Sequence, residues 1–298
     1  MNVLSLFDGM SCGQIALDKL GIKVDNYFAS EIDKSAIQTT QKNYPNTIQV
    51  GGVVELKGVD LPKIDLLIGG SPCQGFSIAG RKLNFQDPKS KLFFEFVRLL
   101  KETKPKYFLL ENVRMPEEIA NAIDDILGVK RIFINSVEFT GLIRKRYYWT
   151  NIPVDKVKSK LKYSPSPSIK TIGGVIDNSV PYDKPMSFFL DRTPYKPSES
   201  SDGIITINPK KNDGSQTWQR GRVYDVKGRC PTICASLFDL NITEDHRNYR
   251  KLTINECEKL QGVPKDYTLG VPKGDRGKML GNGWTVDVIK HIFKNLKQ

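Results

Sequence analysis

The stretch Gly69-Gly70-Ser71-Pro72-Cys73-Gln74-Gly75-Phe76-Ser77 has the sharpest chemical content in the chain. Small residues and a proline precede the cysteine, which places Cys73 on a turn and not in a core. A thiolate there is a candidate nucleophile. The competing reading is an inert loop cysteine, the commoner fate of a single thiol. Glu111 closes the apolar run Tyr107 to Leu110 and could hand a proton to a group in the same cleft. Otherwise it is a solvated charge at a strand end. Arg144-Lys145-Arg146 adds fixed cations to a late strand, where a charged run also protects a sheet edge. Phe7-Asp8-Gly9-Met10-Ser11-Cys12-Gly13 is a glycine-bearing turn whose backbone N–H groups suit an anionic or nucleoside ligand. It lacks the G-x-G-x-x-G spacing, which disfavours a nicotinamide site. Glu31 follows the next apolar run and is placed to accept hydrogen bonds from two ribose hydroxyls. Without the other sites, these two would read as an ordinary tight turn and a solvated glutamate.

Such residues need a scaffold that brings strand ends together. Val3 to Phe7, Tyr27 to Ala29, Ile64 to Ile68 and Tyr107 to Leu110 read as strands. Helical spacing at Ile15 to Leu20, 34–43, Phe93 to Leu100 and Ile119 to Leu127 separates them. Ile132 to Phe139 and Arg146 to Ile152 read as a late antiparallel hairpin. The alternation predicts an α/β fold with an open, mostly parallel sheet. Ligands of such sheets sit beyond the carboxyl ends of the strands, and Asp8-Gly9, Glu31 and the Cys73 turn all fall there. Residues 151–210 hold eight of the 17 prolines and lose helical periodicity. Gly203 to Ile207 and Arg222 to Tyr224 read as short strands of a second, smaller, irregular β-rich domain. Helices return at Thr253 to Gln261 and Val286 to Leu296. The expected division is a cofactor-binding and catalytic domain at 1–154 plus 276–298, with residues 155–275 forming the other.

The chain has 298 residues and a net charge of +12. Residues 1–150 carry 20 basic against 17 acidic side chains, and the remainder 25 against 16. The surplus lies in the second half, where a polyanion contact is expected. A merely solubilising surface would look the same. At 39% hydrophobic and 26% charged, the composition excludes a disordered chain. No apolar run reaches membrane-spanning length, so no membrane association is expected. The opening MNVLSLFDGMSCG lacks a basic flank and reads as a first strand, not as a secretion signal. Five scattered cysteines do not form a disulfide framework, and a reducing cytoplasm is the expected setting. Cys230 and Cys234 with only two histidines do not complete a zinc set, and no metal is expected.

With these residues in place, the chain resembles the C5-cytosine DNA methyltransferases of prokaryotic or phage type. FDGMSCG resembles their first cofactor motif, and GGSPCQGFS their nucleophile loop almost letter for letter. LLENV resembles the catalytic-glutamate strand and IRKRYYWTN the arginine motif. Arg250-Lys251-Leu252-Thr253 with Glu256, and then Leu260 to Pro264, resemble the motif after target recognition. Gly281-Asn282-Gly283-Trp284 with Val286 resembles the final motif, which returns to the cofactor. The order is collinear across nearly the whole chain.

The resemblance implies a Rossmann-like S-adenosylmethionine-dependent methyltransferase sheet. Cys73, Glu111, Arg144 and Arg146 are then the catalytic set. Phe7, Asp8, Gly9, Gly13, Glu31, Ile32, Gly52, Pro72, Asn282, Trp284 and Val286 line the cofactor, and S-adenosylhomocysteine is the product. Residues 155–275 become a target-recognition domain on double-stranded DNA. Gln74, Ser77, Lys210, Lys211, Arg220, Arg222 and Thr232 are the expected DNA contacts, Thr232-Ile233 resembling the segment that closes that domain. Base flipping follows, because the reacting edge of cytosine is hidden in the stack. A monomer is expected, solitary or paired with a restriction endonuclease that acts separately. Three departures stand out: Leu142 where glutamine is usual, Ser11 where bacterial members have glycine, and Gly51-Gly52 where a Gly-Asp pair reads the adenine amino group. The last implies either a weakened grip on the cofactor or a backbone carbonyl or water that takes the place of the missing acid. An RNA-directed enzyme is one rival, but the Cys-Phe-Thr signature of that branch is absent from the sequence. A catalytically silent DNA-binding relative is another, and Cys73, Glu111 and Arg146 argue against it.

Overall fold

The computed structural model describes residues 1–71, 88–157, 171–186, 197–208, 219–236 and 238–296. They form two compact units, one of Met1–Asn135, Lys145–Val157 and Val288–Gln298, the other of Ser136–Arg144 and Lys158–Asp287. Segments 136–144 and 276–287 thus group with the second unit, where the sequence reading had put them with the first.

The first unit is built on a seven-stranded sheet. Its strands are β1 (Asn2–Leu6), β2 (Asn26–Ser30), β3 (Ile48–Gln49), β4 (Leu66–Gly69), β5 (Tyr107–Val113), β6 (Ile132–Asn135) and β7 (Lys145–Thr150). They lie in the order β3-β2-β1-β4-β5-β7-β6, and only β7 runs antiparallel to its neighbours. The mixed α/β architecture is the one the strand–helix alternation predicts. Strand order reverses between β1 and β4, which opens a ligand crevice at their carboxyl ends. Register aligns Leu6 with Gly69 and Gly69 with Leu110, so the turn after β1 and the residues after β4 leave the sheet beside Glu111 on β5.

Helices α1 (Cys12–Lys19), α2 (Lys34–Asn43), α3 (Pro88–Thr103) and α4 (Glu117–Leu127) connect these strands. Asp33 starts α2 by accepting the N–H groups of Ser35 and Ala36. Leu4, Leu6, Leu67, Leu110, Phe93, Phe96 and Trp149 form the buried heart of this unit. Burying side chains of this size stabilises by about 1.5–3 kcal/mol each, which holds the sheet rigid beneath the strand ends. Helix α7 (Val286–Phe293) follows the second unit and leads the chain back into the first.

The second unit holds a six-stranded sheet in the order β8-β13-β12-β11-β10-β9. Its strands are β8 (Lys184–Pro185), β9 (Ser198–Glu199), β10 (Ile205–Thr206), β11 (Val223–Asp225), β12 (Asn241–Thr243) and β13 (Asn248–Lys251). Met186, Ile207, Val223 and Tyr249 are its small core. Helices α5 (Ile254–Gln261) and α6 (Lys273–Asn282) complete it. Thr253 and Glu256 form a reciprocal capping box at the start of α5. Glu256 also accepts from both guanidinium Nη atoms of Arg250, at 2.7 and 2.9 Å, which makes a buried ion pair between β13 and α5.

Candidate active site

The turn after β1 carries unusual backbone. Phe7 and Ser11 both adopt left-handed φ values, 55° and 59°. Such conformations cost about 1–3 kcal/mol each in non-glycine residues and persist where the surroundings over-determine them. Asp8 supplies that constraint. Its Oδ1 accepts from the Tyr27 hydroxyl at 2.8 Å, and its Oδ2 accepts from Ser11 Oγ. Burial pushes the Asp8 carboxyl up to about 6, with the nearby Glu31 charge adding to it and the hydroxyl donors of Ser11, Ser5 and Tyr27 opposing. Ser11, the residue that departs from the bacterial pattern, is therefore used inside the turn.

Glu31 stands at the end of β2. Its Oε2 accepts the Gly9 N–H at 2.7 Å, and its Oε1 accepts the N–H groups of Ile32 and Asp33 at 2.7 and 2.8 Å. A carboxylate offers about four acceptor positions, so roughly one remains, on Oε2. Glu31 thus locks the first turn to the second strand and keeps an acceptor position open on Oε2. Ile32 beside it is 78% exposed, a large apolar side chain with nothing over it among the described residues. Gly13 is buried in the first turn of α1, and Gly52 follows β3. An apolar face, one open acceptor and two carboxylates suit a nucleoside that carries positive charge.

Glu111 lies on β5, opposite Tyr148 on β7. Its side chain is 9% exposed, and Arg146 Nε lies 2.8 Å from Glu111 Oε1. The guanidinium fixes a carboxylate that the apolar interior would otherwise reject. Asn112, next on the strand, was not singled out from sequence. Its Nδ2 donates to both the carbonyl and the hydroxyl of Ser71, each at 3.2 Å. It therefore anchors Ser71, the second residue after β4, on the way to Cys73. Pro72, Cys73, Gln74, Ser77, Lys210 and Lys211 lie outside the described residues.

The other expected site residues belong to the second unit. Arg144 is buried, and its Nη1 and Nη2 donate to the carbonyls of Gly281 and Asn282 at 3.0 and 3.2 Å. Gln261 Nε2 donates to the Leu280 carbonyl beside them. Arg144 thereby caps the end of α6, while its sequence neighbour Arg146 faces Glu111. Asn282 is exposed, and Trp284 and Val286 are buried. Thr232 Oγ1 donates to the Ile143 carbonyl at 2.6 Å, which ties its segment to the one bearing Arg144. Arg220 is exposed and Arg222 half-buried. Burial pushes the thiols of Cys230 and Cys257 up, which disfavours the thiolate form in both. No group of three or more metal-ligating side chains is present among the described residues.

The C-5 cytosine-specific DNA methylase family matches residues 1–122 and 139–298, and the chain belongs to it. It is a DNA cytosine-C5 methyltransferase. It is 27% identical over 329 residues to the type II methyltransferase M.FnuDI of Fusobacterium nucleatum, covering 100% of this chain and 94% of that protein. It is 30% identical over 324 residues to M1.ScrFI of Lactococcus lactis subsp. cremoris, covering 99% and 77%. Among solved structures, the Dnmt2 methyltransferase of S. pombe shares the fold, with a TM-score of 0.71 at 18% identity over 99% of this chain and 97% of that one. Among the described residues no helix is long and apolar enough to cross a membrane.

Proposed function

We propose that this enzyme methylates cytosine in double-stranded DNA through a covalent adduct on Cys73, with the methyl donor held over the ends of β1, β2 and β3. One observation carries the reading: Glu111, paired with Arg146, stands on β5 directly before Asn112, which tethers Ser71 two residues ahead of Cys73. Ser71, which leads toward Cys73, and the acid are thereby tied to one strand.

The cytosine must leave the helix, since its C5 and C6 are inaccessible in the stack. Cys73 adds as thiolate to C6. Electron density moves toward N3, where Glu111 holds the proton that relieves the charge. Arg146 keeps the Glu111 carboxylate aimed and desolvated. Arg144 maintains the end of α6, from which Asn282, Trp284 and Val286 follow. Phe7, Asp8, Gly9, Gly13, Glu31, Ile32, Gly52 and Pro72 would hold S-adenosylmethionine. Bound there, it supplies an electrophilic methyl group to C5. Water removes the C5 proton, and loss of Cys73 from C6 restores the aromatic ring.

The second unit would read the target. Its basic surplus suits phosphate contacts, with Lys210, Lys211, Arg220 and Arg222 as first candidates, and its irregular loops suit base readout by residues such as Thr232, while Gln74 and Ser77 of the first unit are further candidates for DNA contact. A cytoplasmic monomer fits this reading, whether the enzyme acts alone or beside a separate restriction endonuclease. The test is incubation with tritiated S-adenosylmethionine and duplex DNA, followed by bisulfite sequencing. Label at cytosine C5 in a fixed sequence context supports the proposal. Folded enzyme that labels single-stranded RNA and not duplex DNA would refute it.

A further inference from the structure

Position 52 is glycine, and the space its side chain would fill is taken. A Cβ built on Gly52 would lie 2.6 Å from Glu55 Oε2, 3.8 Å from Glu55 Cδ and 3.6 Å from Ile32 Cγ2. The carboxylate of Glu55 thus reaches back over Gly52, beside the exposed Ile32. No described residue donates a hydrogen bond or an ion pair to it.

The backbone around this carboxylate is fixed. Val50 N–H donates to the Ala29 carbonyl at 2.9 Å, and Ser30 Oγ donates to the Gly51 carbonyl at 2.8 Å. Both bonds bind the segment after β3 to the end of β2. Arg98 on α3 then pins the following turn, its Nη2 donating to the carbonyls of Val53 and Leu56 at 3.1 and 2.9 Å. Arg98 is itself held by Glu95 and Glu102. Val53 and Leu56 are buried on either side of the exposed Val54 and Glu55. An open acceptor therefore stands on an anchored turn, next to an apolar platform, at the carboxyl edge of the sheet.

We propose that Glu55 reads the exocyclic amino group of the donor's adenine, doing from position 55 what an acid at position 52 would do. The inference rests on the S-adenosylmethionine reading above. A planar base lying on Ile32 turns an edge toward Glu55. An ionised carboxylate only accepts hydrogen bonds. It therefore attracts the 6-amino group of adenine and rejects the 6-carbonyl of hypoxanthine. Gly52 and Glu55 are complementary: glycine leaves the space, and the longer acid fills it.

The experiment is calorimetric titration of the full chain with S-adenosylhomocysteine and with S-inosylhomocysteine, which replaces that amino group by a carbonyl. The unaltered protein should favour the adenosine form by about tenfold to a hundredfold, the range of one hydrogen bond to a charged acceptor. Glu55→Ala, an exposed change, should remove most of that preference. Gly52→Asp in the Glu55→Ala background should restore it, because an aspartate then enters the vacated space. Full discrimination retained by Glu55→Ala would overturn the assignment, as would a failure of Gly52→Asp to restore a lost preference. Binding of neither nucleoside by the unaltered, folded chain would instead overturn the cofactor reading on which the assignment rests.

Discussion

Arg146→Met would remove the cation beside Glu111 and leave the carboxylate behind. At 2.8 Å and an effective dielectric of about 20, the gross attraction is roughly 6 kcal/mol. Much of that offsets the cost of drawing both groups out of water, since the side chains are only 14% and 9% exposed. The penalty for breaking the pair from one side is therefore about 3–5 kcal/mol, arising mostly from the stranded charge. Glu111→Gln removes that charge at nearly constant shape. The double variant Arg146→Met/Glu111→Gln should then recover about 2 kcal/mol of what Arg146→Met loses, because no ion is left stranded. Activity should not follow stability. Glu111→Gln alone should lower the single-turnover rate by on the order of a hundredfold or more, and the double variant should be no faster. Urea unfolding gives the first quantity, and rapid-quench transfer to duplex DNA gives the second. A double variant no more stable than Arg146→Met would refute the coupling, and an unchanged rate in Glu111→Gln would move the proton chemistry to another group.

Three further outcomes follow from the site and its supports. Asp8, raised from 3.8 to about 6, binds its proton more tightly folded than unfolded, so its stabilising contribution is full below about pH 3.8 and is lost as pH rises through 6. Relative to Asp8→Asn, the unaltered protein should lose up to about 3 kcal/mol across that window, and a pH-independent difference in urea midpoints would contradict this. A Cβ on Gly281 would lie 2.1 Å from the Ala235 nitrogen and 2.3 Å from the Cys234 carbonyl carbon, backbone that cannot step aside, so Gly281→Ala should cost about 3 kcal/mol or more in thermal unfolding, against little effect if α6 can shift. Neutralising Lys210, Lys211, Arg220 or Arg222 should each lower the slope of log affinity for DNA against log salt by about 1 wherever a phosphate contact is lost, and four unchanged slopes would move the DNA-facing surface elsewhere.

The elements that sequence made legible are those with their own local signal. β1, β4 and β5 are apolar runs that end in polar or glycine residues, and Asp8, Glu31 and Glu111 stand out because they follow such runs. Thr253 with Glu256 announces α5 through the capping box it forms. Elements that depend on neighbours left no such mark. β3 is two residues long, as are β8, β9 and β10, too short for alternation to register. α6 carries three glycines within Lys273–Asn282 and little apolar periodicity. It exists because Gly277 and Gly281 let it pack against Phe238 and the 234–235 backbone, and because Arg144 and Gln261 satisfy its last carbonyls. The hairpin strand expected over Ile132 to Phe139 stops at Asn135, where residues 136–138 tighten into a 3₁₀ turn. Arg144 and Arg146 are indistinguishable as letters, two apart on one run. Their different duties emerge only from which groups face them, as do those of Asn112, Ser30 and Glu55.

The measurement that bears most directly on the chemistry uses a duplex in which 5-fluorocytosine replaces the cytosine that bisulfite sequencing identifies as the target. Fluorine at C5 cannot leave as a proton does, so an adduct on Cys73 persists after methyl transfer. With S-adenosylmethionine present, the unaltered enzyme should form a denaturation-resistant protein–DNA complex whose cross-linked peptide contains Cys73. Cys73→Ser should bind the same duplex and form none. A complex that survives in Cys73→Ser, or one that maps to another residue, would contradict the covalent mechanism.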